Sequence, residues 1–368
     1  NLLNPGRTPH DNIKFLIFLI ATIRAVYNHA YILRASVGSY ANDHRLGANE
    51  APPAILSVFL GDQLVRILDD IEKGKASKAT AREIIDLGIS SLPIVSKDNT
   101  DRNRTSPFAF TGNKFEFRTV GASQSISFPA AILNTIVAES LDYLADRIKA
   151  QGGGNLHQAV FNVIREEIRE IRPVLYNGDN YTKEWEKEAA GRKLPNDKTT
   201  PIALKALVTK KAVGLFEKYR VLSPVELQSR YLIRLERYIK DLEIEVKCLN
   251  NICVSQAIPA ATAYQKRLSE AIVRAREAFG KSLDLSAQQE LLRRIVDLVN
   301  RIYAADKDIL AAVASASSLH DEQKKAETLC SKVKTRMNEL REHVDEVEGL
   351  VDDELWPLPK YWEMLFIC

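Results

Sequence analysis

The sequence predicts an α+β protein that is predominantly helical. Thirteen of its sixteen glycines lie at or before Gly191, so the second half is poor in turn-forming residues and favours long helices. In the first half, residues 114–118 alternate polar and apolar side chains, as a strand does. With 368 residues, 27% charged and 45% hydrophobic, the chain has the composition of a folded protein and enough length to bury a core.

The first predicted element is a long helix that ends at about Leu33. Thr8 is placed as its N-cap and Pro9 at its first position, where a missing N–H is tolerated. The apolar run at 15–23 has only nine residues before Arg24, whereas a membrane span needs about 20. We therefore expect a buried core helix and no membrane partner.

A loop, a helix and a strand are expected next. Glycines and a double proline predict a loop over 36–58, and helical periodicity returns over 61–87. Polar and apolar residues then alternate within 92–120, which favours strand structure. The first half is thus predicted to mix helices with a small amount of sheet.

The second half predicts a helical bundle. Ser223, Ser286 and Ser318 each precede a helical run and have an acid or amide three residues later, the pattern of a capping box. With a helix between Pro259 and Gly280, they predict four long antiparallel helices. Two apolar stripes at helical spacing should form the core: Leu227, Tyr231, Leu235, Tyr238, Leu242, Val246, Leu249 and Cys253, and then Leu329, Val333, Met337, Leu340, Val344 and Val347.

Charge and cysteine content argue against several classes of protein. Lys and Arg number 51 and Asp and Glu 48, a formal net charge of +3, so no nucleic-acid surface is predicted. The four cysteines are scattered without a CxxC pair, which argues against a zinc site or disulfide framework and favours a cytoplasmic location. The first methionine is Met337, so we expect a piece of a longer polypeptide, and an organelle location stays open if a transit segment preceded it.

Three clusters of charged residues lie in segments where a packed core does not require them. They are Arg45 and Glu50 within 42–53, Arg102 and Arg104 within 101–107, and Lys114, Glu116 and Arg118 within 114–118. Period-two alternation puts the last three on one strand face. That face suits either solvent or a site for a divalent ion and anionic substrates, because Mg²⁺ takes oxygen ligands and phosphates take Arg or Lys.

Taken in this order, the clusters resemble the glutamine synthetase family. NDHRLGANEAPP (42–53), NRTSP (103–107) and KFEFR (114–118) are similar to its flap loop, its arginine segment and its RxExR strand. Further stretches, RTPHDN, VGASQSIS, NGDNYTKEW and ELWPLPKYWEMLF, resemble type III sequences, so the resemblance covers nearly the whole chain.

The resemblance implies ATP-dependent ligation of ammonia to L-glutamate through γ-glutamyl phosphate, for nitrogen assimilation and glutamine biosynthesis. Arg45 would bind the substrate glutamate, and Glu50 on the flap would take the proton from ammonium. Glutamate, ammonium and ATP would be the substrates, with Mg²⁺ or Mn²⁺ as the metal. A homododecamer of two hexameric rings is the implied assembly.

Four further roles follow from the resemblance. Arg104 would stabilise the phosphoryl group during transfer and bind nucleotide phosphate, and Lys114, where the family usually has Arg, would contact the nucleotide phosphates. Arg118 would bind near the acyl and phosphoryl groups. Glu116 would be one ligand of the metal, which needs several oxygen ligands.

The chain also departs from the family. A second arginine expected five residues after Arg104 is Ala109 here, and Arg102 is a candidate substitute. The 54-residue interval from Glu50 to Arg104 fits a helical insertion at about 61–90. The remaining metal carboxylates of the family would lie upstream of Asn1, so this chain alone is expected to be inactive.

As a fold, the resemblance implies the C-terminal part of the glutamine synthetase catalytic α/β domain over 1–150. A helical connecting region over 151–222 and a C-terminal long-helix bundle over 223–368 would follow. Two alternatives stay open for the function: a γ-glutamyl-amine ligase, and a non-catalytic helical oligomerisation or scaffold protein of the same fold.

Overall fold

The computed structural model describes residues 1–48, 51–74, 103–151 and 155–365, together with the backbone of two short strands at 84–85 and 95–96. The described chain is mostly helical with a small sheet, as the sequence predicts. It divides into two compact units, Asn1–Arg234 and Leu235–Cys368, called unit 1 and unit 2 below. The finer division into catalytic part, connecting region and bundle stays a prediction.

The helices of unit 1 are α1 (Ile13–Ser36), α2 (Tyr40–Arg45), α3 (Asp62–Glu72), α4 (Ser127–Ala150), α5 (Leu156–Ile171), α6 (Lys183–Gly191), α7 (Thr200–Leu204) and α8 (Lys210–Lys218). Its strands are β1 (Val58–Phe59), β2 (Ile84–Ile85), β3 (Val95–Ser96), β4 (Phe108–Phe110) and β5 (Phe115–Phe117). Helix α9 (Pro224–Ile252) contains the division between the units. Unit 2 continues with α10 (Ile258–Phe279), α11 (Ser286–Ser317), α12 (Glu322–Thr328), α13 (Lys334–Glu348) and α14 (Tyr361–Leu365).

Helix α1 is the predicted buried helix, and it lies at the centre of unit 1. Its length and apolar composition would also suit a membrane span, but most of its apolar stretch is buried against α4 and α5. The predicted start is wrong: the Asn12 side chain, not Thr8, accepts the Phe15 N–H at 3.1 Å, while the Thr8 carbonyl closes a turn before the helix. An apolar helix buried on all sides explains why the run at 15–23 shows no polar face.

Two other predictions in the first half are partly wrong. Residues 40–45 form α2 inside the predicted loop, because the Ser39 hydroxyl accepts the Asn42 N–H at 3.2 Å and caps a short helix there. The predicted helical insertion holds over α3, but Ile84 and Ile85 pair with residues 95–96 as antiparallel strands. Their β-branched side chains favour a strand over a helix. Residues 75–83 and 86–90 of the predicted insertion lie outside the described residues.

The small sheet has the order β1-β4-β5 and confirms the predicted strand at 114–118. Strand β1 is parallel to β4, and β4 is antiparallel to β5, with Phe108 opposite Phe117. The Arg118 N–H donates to the Pro107 carbonyl at 2.9 Å. Residues 103–107 and Arg118 therefore lie at the same end of the sheet.

The bundle has fewer separate long helices than the sequence predicts, because two pairs of consecutive helices are continuous. Helices α9 and α10 run on through a single π-helical turn at Cys253–Ala257, and α12 and α13 through another at Leu329–Val333. Pro259 lacks an N–H, and the wider π turn accommodates that gap instead of ending the helix. From Pro224 onward the described residues therefore form three long continuous helices where the sequence predicts four.

Of the three capping boxes predicted in the second half, the one at Ser223 is confirmed. Ser223 and Glu226 form the predicted capping box, with the Ser223 N–H donating to the Glu226 carboxylate at 2.8 Å. Helix α11 begins at Ser286 itself, so Ser286 is not its cap, and the Ser286 N–H donates to Asp284 Oδ1 at 2.9 Å. Asp321 caps α12 in place of Ser318. At both starts a carboxylate, and not the predicted serine, accepts free N–H groups.

The apolar stripes pack as predicted. Their fully buried members in both stripes are Leu227, Leu235, Leu242, Cys253, Leu329, Val333, Leu340 and Val347. Leu249, Met337 and Val344 keep some exposure. In unit 2, α11 packs against both α10 and α13, and the buried stripe residues from Leu235 onward belong to the core of this unit.

Candidate active site

Arg45 connects the first predicted cluster to the third. It is the last residue of α2, where its half-buried guanidinium donates from Nη2 to the Arg118 carbonyl at 3.1 Å. Nη1 makes longer contacts, both 3.4 Å, with the Val120 carbonyl and Asn42 Oδ1. Asn42 is buried and donates to the Thr119 carbonyl at 2.9 Å, so α2 is fixed to the end of β5.

Glu116 and Arg118 form an ion pair on one strand face, as the alternation predicts. Arg118 donates from Nε and Nη2 to Glu116 Oε2 at 3.2 and 2.9 Å. Thr111 Oγ1 donates to the other carboxylate oxygen at 3.2 Å, and Lys114 Nζ lies 3.6 Å from it. The hydrogen bonds from Arg118 lower the pKa of Glu116 most, and Thr111 and the positive charge of Lys114 act in the same direction. The carboxylate is therefore ionised at neutral pH.

The second cluster joins the same site through Asn103. Arg118 Nη1 donates to the Asn103 carbonyl, and Asn103 Oδ1 accepts the Thr105 N–H at 2.9 Å. Arg104 lies between these two residues and is exposed, with no hydrogen bond or ion pair to any residue the structure describes. Lys114 is 62% exposed. The site thus holds one half-buried set of contacts and two cations that face solvent.

Three predicted positions have a different outcome. Glu50 and Arg102 lie outside the described residues. Ala109, at the place of the expected second arginine, is wholly buried in β4 opposite Glu116. A guanidinium would not fit at that position without displacing the packed sheet.

The described residues do not complete a metal site. Among them there is no group of three His, Cys, Asp or Glu side chains that could hold a metal ion. Glu116 supplies a single carboxylate, and its oxygens already accept from Arg118 and Thr111. Mg²⁺ takes several hard oxygen ligands, so Glu116 could act as a ligand only with partners from outside this set.

Residues 177–180 have no role predicted from the sequence, yet they contact the site directly. Asn180 is 1% exposed and accepts from the Ser57 hydroxyl at 2.6 Å, and its N–H donates to Thr105 Oγ1 at 2.9 Å. A cavity of about 450 Å³ is lined by residues of 47–53 and of 180–186. The Asn-Gly-Asp-Asn run predicts a turn, but no sequence pattern states which distant segment a turn contacts.

A second charged cluster, also missed, lies inside the α1–α4–α5 core. Arg24 Nη1 donates to Glu139 at 2.9 Å, and His29 Nε2 lies 3.5 Å from the same oxygen. Arg147 pairs with the buried Glu167 at 2.6 Å. The hydrogen bond with His29, followed by the charge and hydrogen bond of Arg24, lowers the pKa of Glu139 to about 2, whereas burial raises the pKa of Glu167. This cluster is a structural feature of the core, separate from the site at β5.

Comparison with known proteins identifies the family. Residues 159–276 match the family model described as glutamine synthetase C-terminal domain. Over its whole length the chain is 41% identical to a type-3 glutamine synthetase of Dictyostelium discoideum, 37% to a glutamine synthetase of Bacteroides fragilis and 36% to one of Butyrivibrio fibrisolvens. It spans about half the length of these relatives, 50 to 52%. With this similarity along its whole length, the chain belongs to the glutamine synthetase family.

Proposed function

We propose that the complete protein ligates ammonia to L-glutamate with ATP, through γ-glutamyl phosphate. The observation that carries this proposal is the meeting of three separate segments, 42–45, 103–105 and 114–118, at one end of the sheet. Each segment resembles a substrate-binding stretch of glutamine synthetases. The similarity of the whole chain to three such enzymes supports the same reaction.

Arg45 is suited to bind the substrate glutamate. Its contacts with Arg118, Val120 and Asn42 orient the guanidinium, and within the described part of the chain they leave the Nε–H and one Nη2–H for a ligand. Two such N–H groups match the two oxygens of a carboxylate. Prior orientation lowers the entropy lost when that carboxylate binds.

Arg104 and Lys114 are suited to bind phosphate oxygens. Both are exposed cations beside the Glu116–Arg118 pair, and in the described part of the chain neither is paired with a buried acid. In the proposed reaction Arg104 stabilises charge that develops as the γ-phosphoryl group leaves ATP for the glutamate carboxylate. Lys114 contacts the nucleotide phosphates, and Arg118 holds the acyl phosphate. Glu50, which follows α2 by five residues in the sequence, removes the proton from ammonium before the ammonia attacks.

The metal, the assembly and the location are also part of the proposal. Glu116 would be one ligand of Mg²⁺ or Mn²⁺, with the other ligands outside the described residues. The assembly is proposed as a homododecamer of two hexameric rings in the cytoplasm, on the family resemblance. Sedimentation velocity of the complete protein tests the subunit number directly.

The test of the reaction is ADP release by the complete native protein with ATP and Mg²⁺, adding glutamate and ammonium separately and then together. Release that needs both supports the proposal, and Glu116→Ala should abolish it. Release with glutamate and a larger amine, but not with ammonium, would instead identify a γ-glutamyl-amine ligase. No release under any condition would favour a scaffold of the same fold.

A further inference from the structure

Asn180 ties strand β1 to the loop that carries Arg104. Its side-chain carbonyl accepts the Ser57 hydroxyl at 2.6 Å, and Ser57, itself wholly buried, directly precedes β1. Its backbone N–H and its Nδ2 both donate to Thr105 Oγ1, at 2.9 and 3.3 Å. The contact therefore joins three segments that are far apart in the sequence.

The Thr105 hydroxyl connects Asn180 to Asn103. Its hydroxyl accepts from Asn180 and donates its single proton to Asn103 Oδ1 at 2.7 Å. Asn103 Nδ2 donates to the Gly178 carbonyl at 2.8 Å, so Asn103 contacts the turn at 177–180 that contains Asn180. Every hydroxyl and amide group of this network has one consistent direction of donation, so the network specifies one arrangement of the loop.

The turn at 177–180 is itself firmly held. Thr182 caps α6 by accepting the Trp185 N–H at 3.2 Å, and Trp185 is wholly buried. The Trp185 ring stacks on Tyr176 with ring centroids 3.7 Å apart. The turn therefore provides a rigid support against which the 103–107 loop is fixed.

Arg104 and Arg118 depend on this support in different ways. Arg104 lies between Asn103 and Thr105, and no described side chain orients it, so its backbone decides where its guanidinium can reach. Arg118 donates directly to the Asn103 carbonyl. We propose that Asn180 is a positioning residue, which acts through Thr105 and Asn103 to hold Arg104 and Arg118 for phosphoryl transfer. This inference rests on the proposed function, and it gives the matched C-terminal domain segment a part in the active site.

A double-mutant cycle in the complete protein tests whether Asn180 acts through Arg104. We expect Asn180→Ala to lower kcat for ADP release roughly tenfold or more, with the KM for ATP changed less than about twofold. In the Arg104→Ala background the same substitution should cost clearly less than in wild type, because one of the two groups that it positions is gone and only its effect on Arg118 is left. Losses that multiply in the double mutant, or an unchanged kcat in Asn180→Ala, would overturn the inference.

Thr105 provides a matched pair of variants in case Asn180→Ala does not fold. Thr105→Ser keeps the hydroxyl and should retain wild-type kcat, whereas Thr105→Val keeps the shape and should lose as much as Asn180→Ala. Equal loss in both Thr105 variants would contradict a role for the hydroxyl network.

Hydrogen–deuterium exchange separates this inference from the proposed reaction. In folded Asn180→Ala protein the amides of 103–106 should exchange at least about tenfold faster than in wild type, with unchanged exchange in α1 and α4. Unchanged exchange at 103–106 would overturn the positioning role even if the wild-type protein is an active ligase. Faster exchange in Asn180→Ala, where the wild-type protein itself releases no ADP, would instead count against the proposed reaction alone.

Discussion

The candidate site and the bundle of unit 2 are stabilised by different kinds of contact. The bundle is built from apolar stripes at helical spacing, with Leu242 and Leu340 wholly buried. The site is built from hydrogen bonds between distant segments, such as Arg45 to Arg118 and Asn180 to Thr105. Periodic burial stabilises the fold, whereas the polar contacts mainly fix the positions of a few charged groups. Substitutions in the two regions should therefore separate loss of activity from loss of stability.

The largest effect is expected at the site. Arg104→Ala in the complete protein should lower kcat for ADP release by about 10²–10³-fold, because in the proposed reaction it removes a cation that stabilises the transferring phosphoryl group. The melting temperature should stay within about 1 °C, since Arg104 contacts no described partner. Arg293→Ala on α11, 76% exposed, is the matched control and should change neither quantity. A loss of stability in Arg104→Ala without a loss of activity would contradict this division between a site for activity and a bundle for stability.

The bundle should show the reverse behaviour. Leu242→Ala should cost about 3 kcal/mol of unfolding free energy, because Leu242 is wholly buried and its truncation leaves a cavity beside α9. Ile244→Ala, two residues away and exposed, should cost less than about 0.5 kcal/mol. Urea denaturation of both variants measures the difference. Equal costs would show that the stripe does not stabilise the bundle.

The charged cluster of the α1–α4–α5 core sharpens the comparison, because it lies in the same unit as the site. Glu139→Gln should cost about 2 kcal/mol by breaking its contacts with Arg24 and His29. Asp146→Asn, an exposed acid on the same helix, is the control and should be nearly neutral. Thermal unfolding at neutral pH compares the two.

This effect should depend on pH with a defined sign. The pKa of Glu139 is lowered from 4.5 to about 2 in the folded protein, so its contribution is complete above about pH 4.5 and is lost as the pH falls toward 2. The difference in stability between wild type and Glu139→Gln should shrink over that window. A difference that grows on acidification would contradict the assignment.

The smallest effect is expected at a helix start. Ser223→Ala should cost about 1 kcal/mol, because it removes the capping box with Glu226 at the start of α9. Ser269→Ala in the middle of α10 lacks such a role and should be neutral within about 0.5 kcal/mol. Chemical denaturation of the two variants measures both losses of unfolding free energy. Equal losses would show that the capping box does not stabilise α9.

The two regions also differ in how far the sequence predicts them. Stripes such as Leu235 to Cys253 are visible because helical burial repeats locally, and the 114–118 strand because its alternation is local. The continuation of α9 into α10 was missed, since a proline normally ends a helix and a π turn leaves no pattern in the sequence. The contact of Asn180 with Thr105 was missed because it spans 75 residues, and the roles of the site residues came from family resemblance.

The most direct measurement is incorporation of ¹⁵N from ammonium into an amide by the complete protein, with ATP, Mg²⁺ and glutamate. We expect one ¹⁵N-labelled glutamine amide for each ADP released, and the loss of both in Arg104→Ala protein that melts like wild type. ADP release without labelled amide, or undiminished labelling in Arg104→Ala, would contradict the claim that these converging segments form the active site of a glutamate–ammonia ligase.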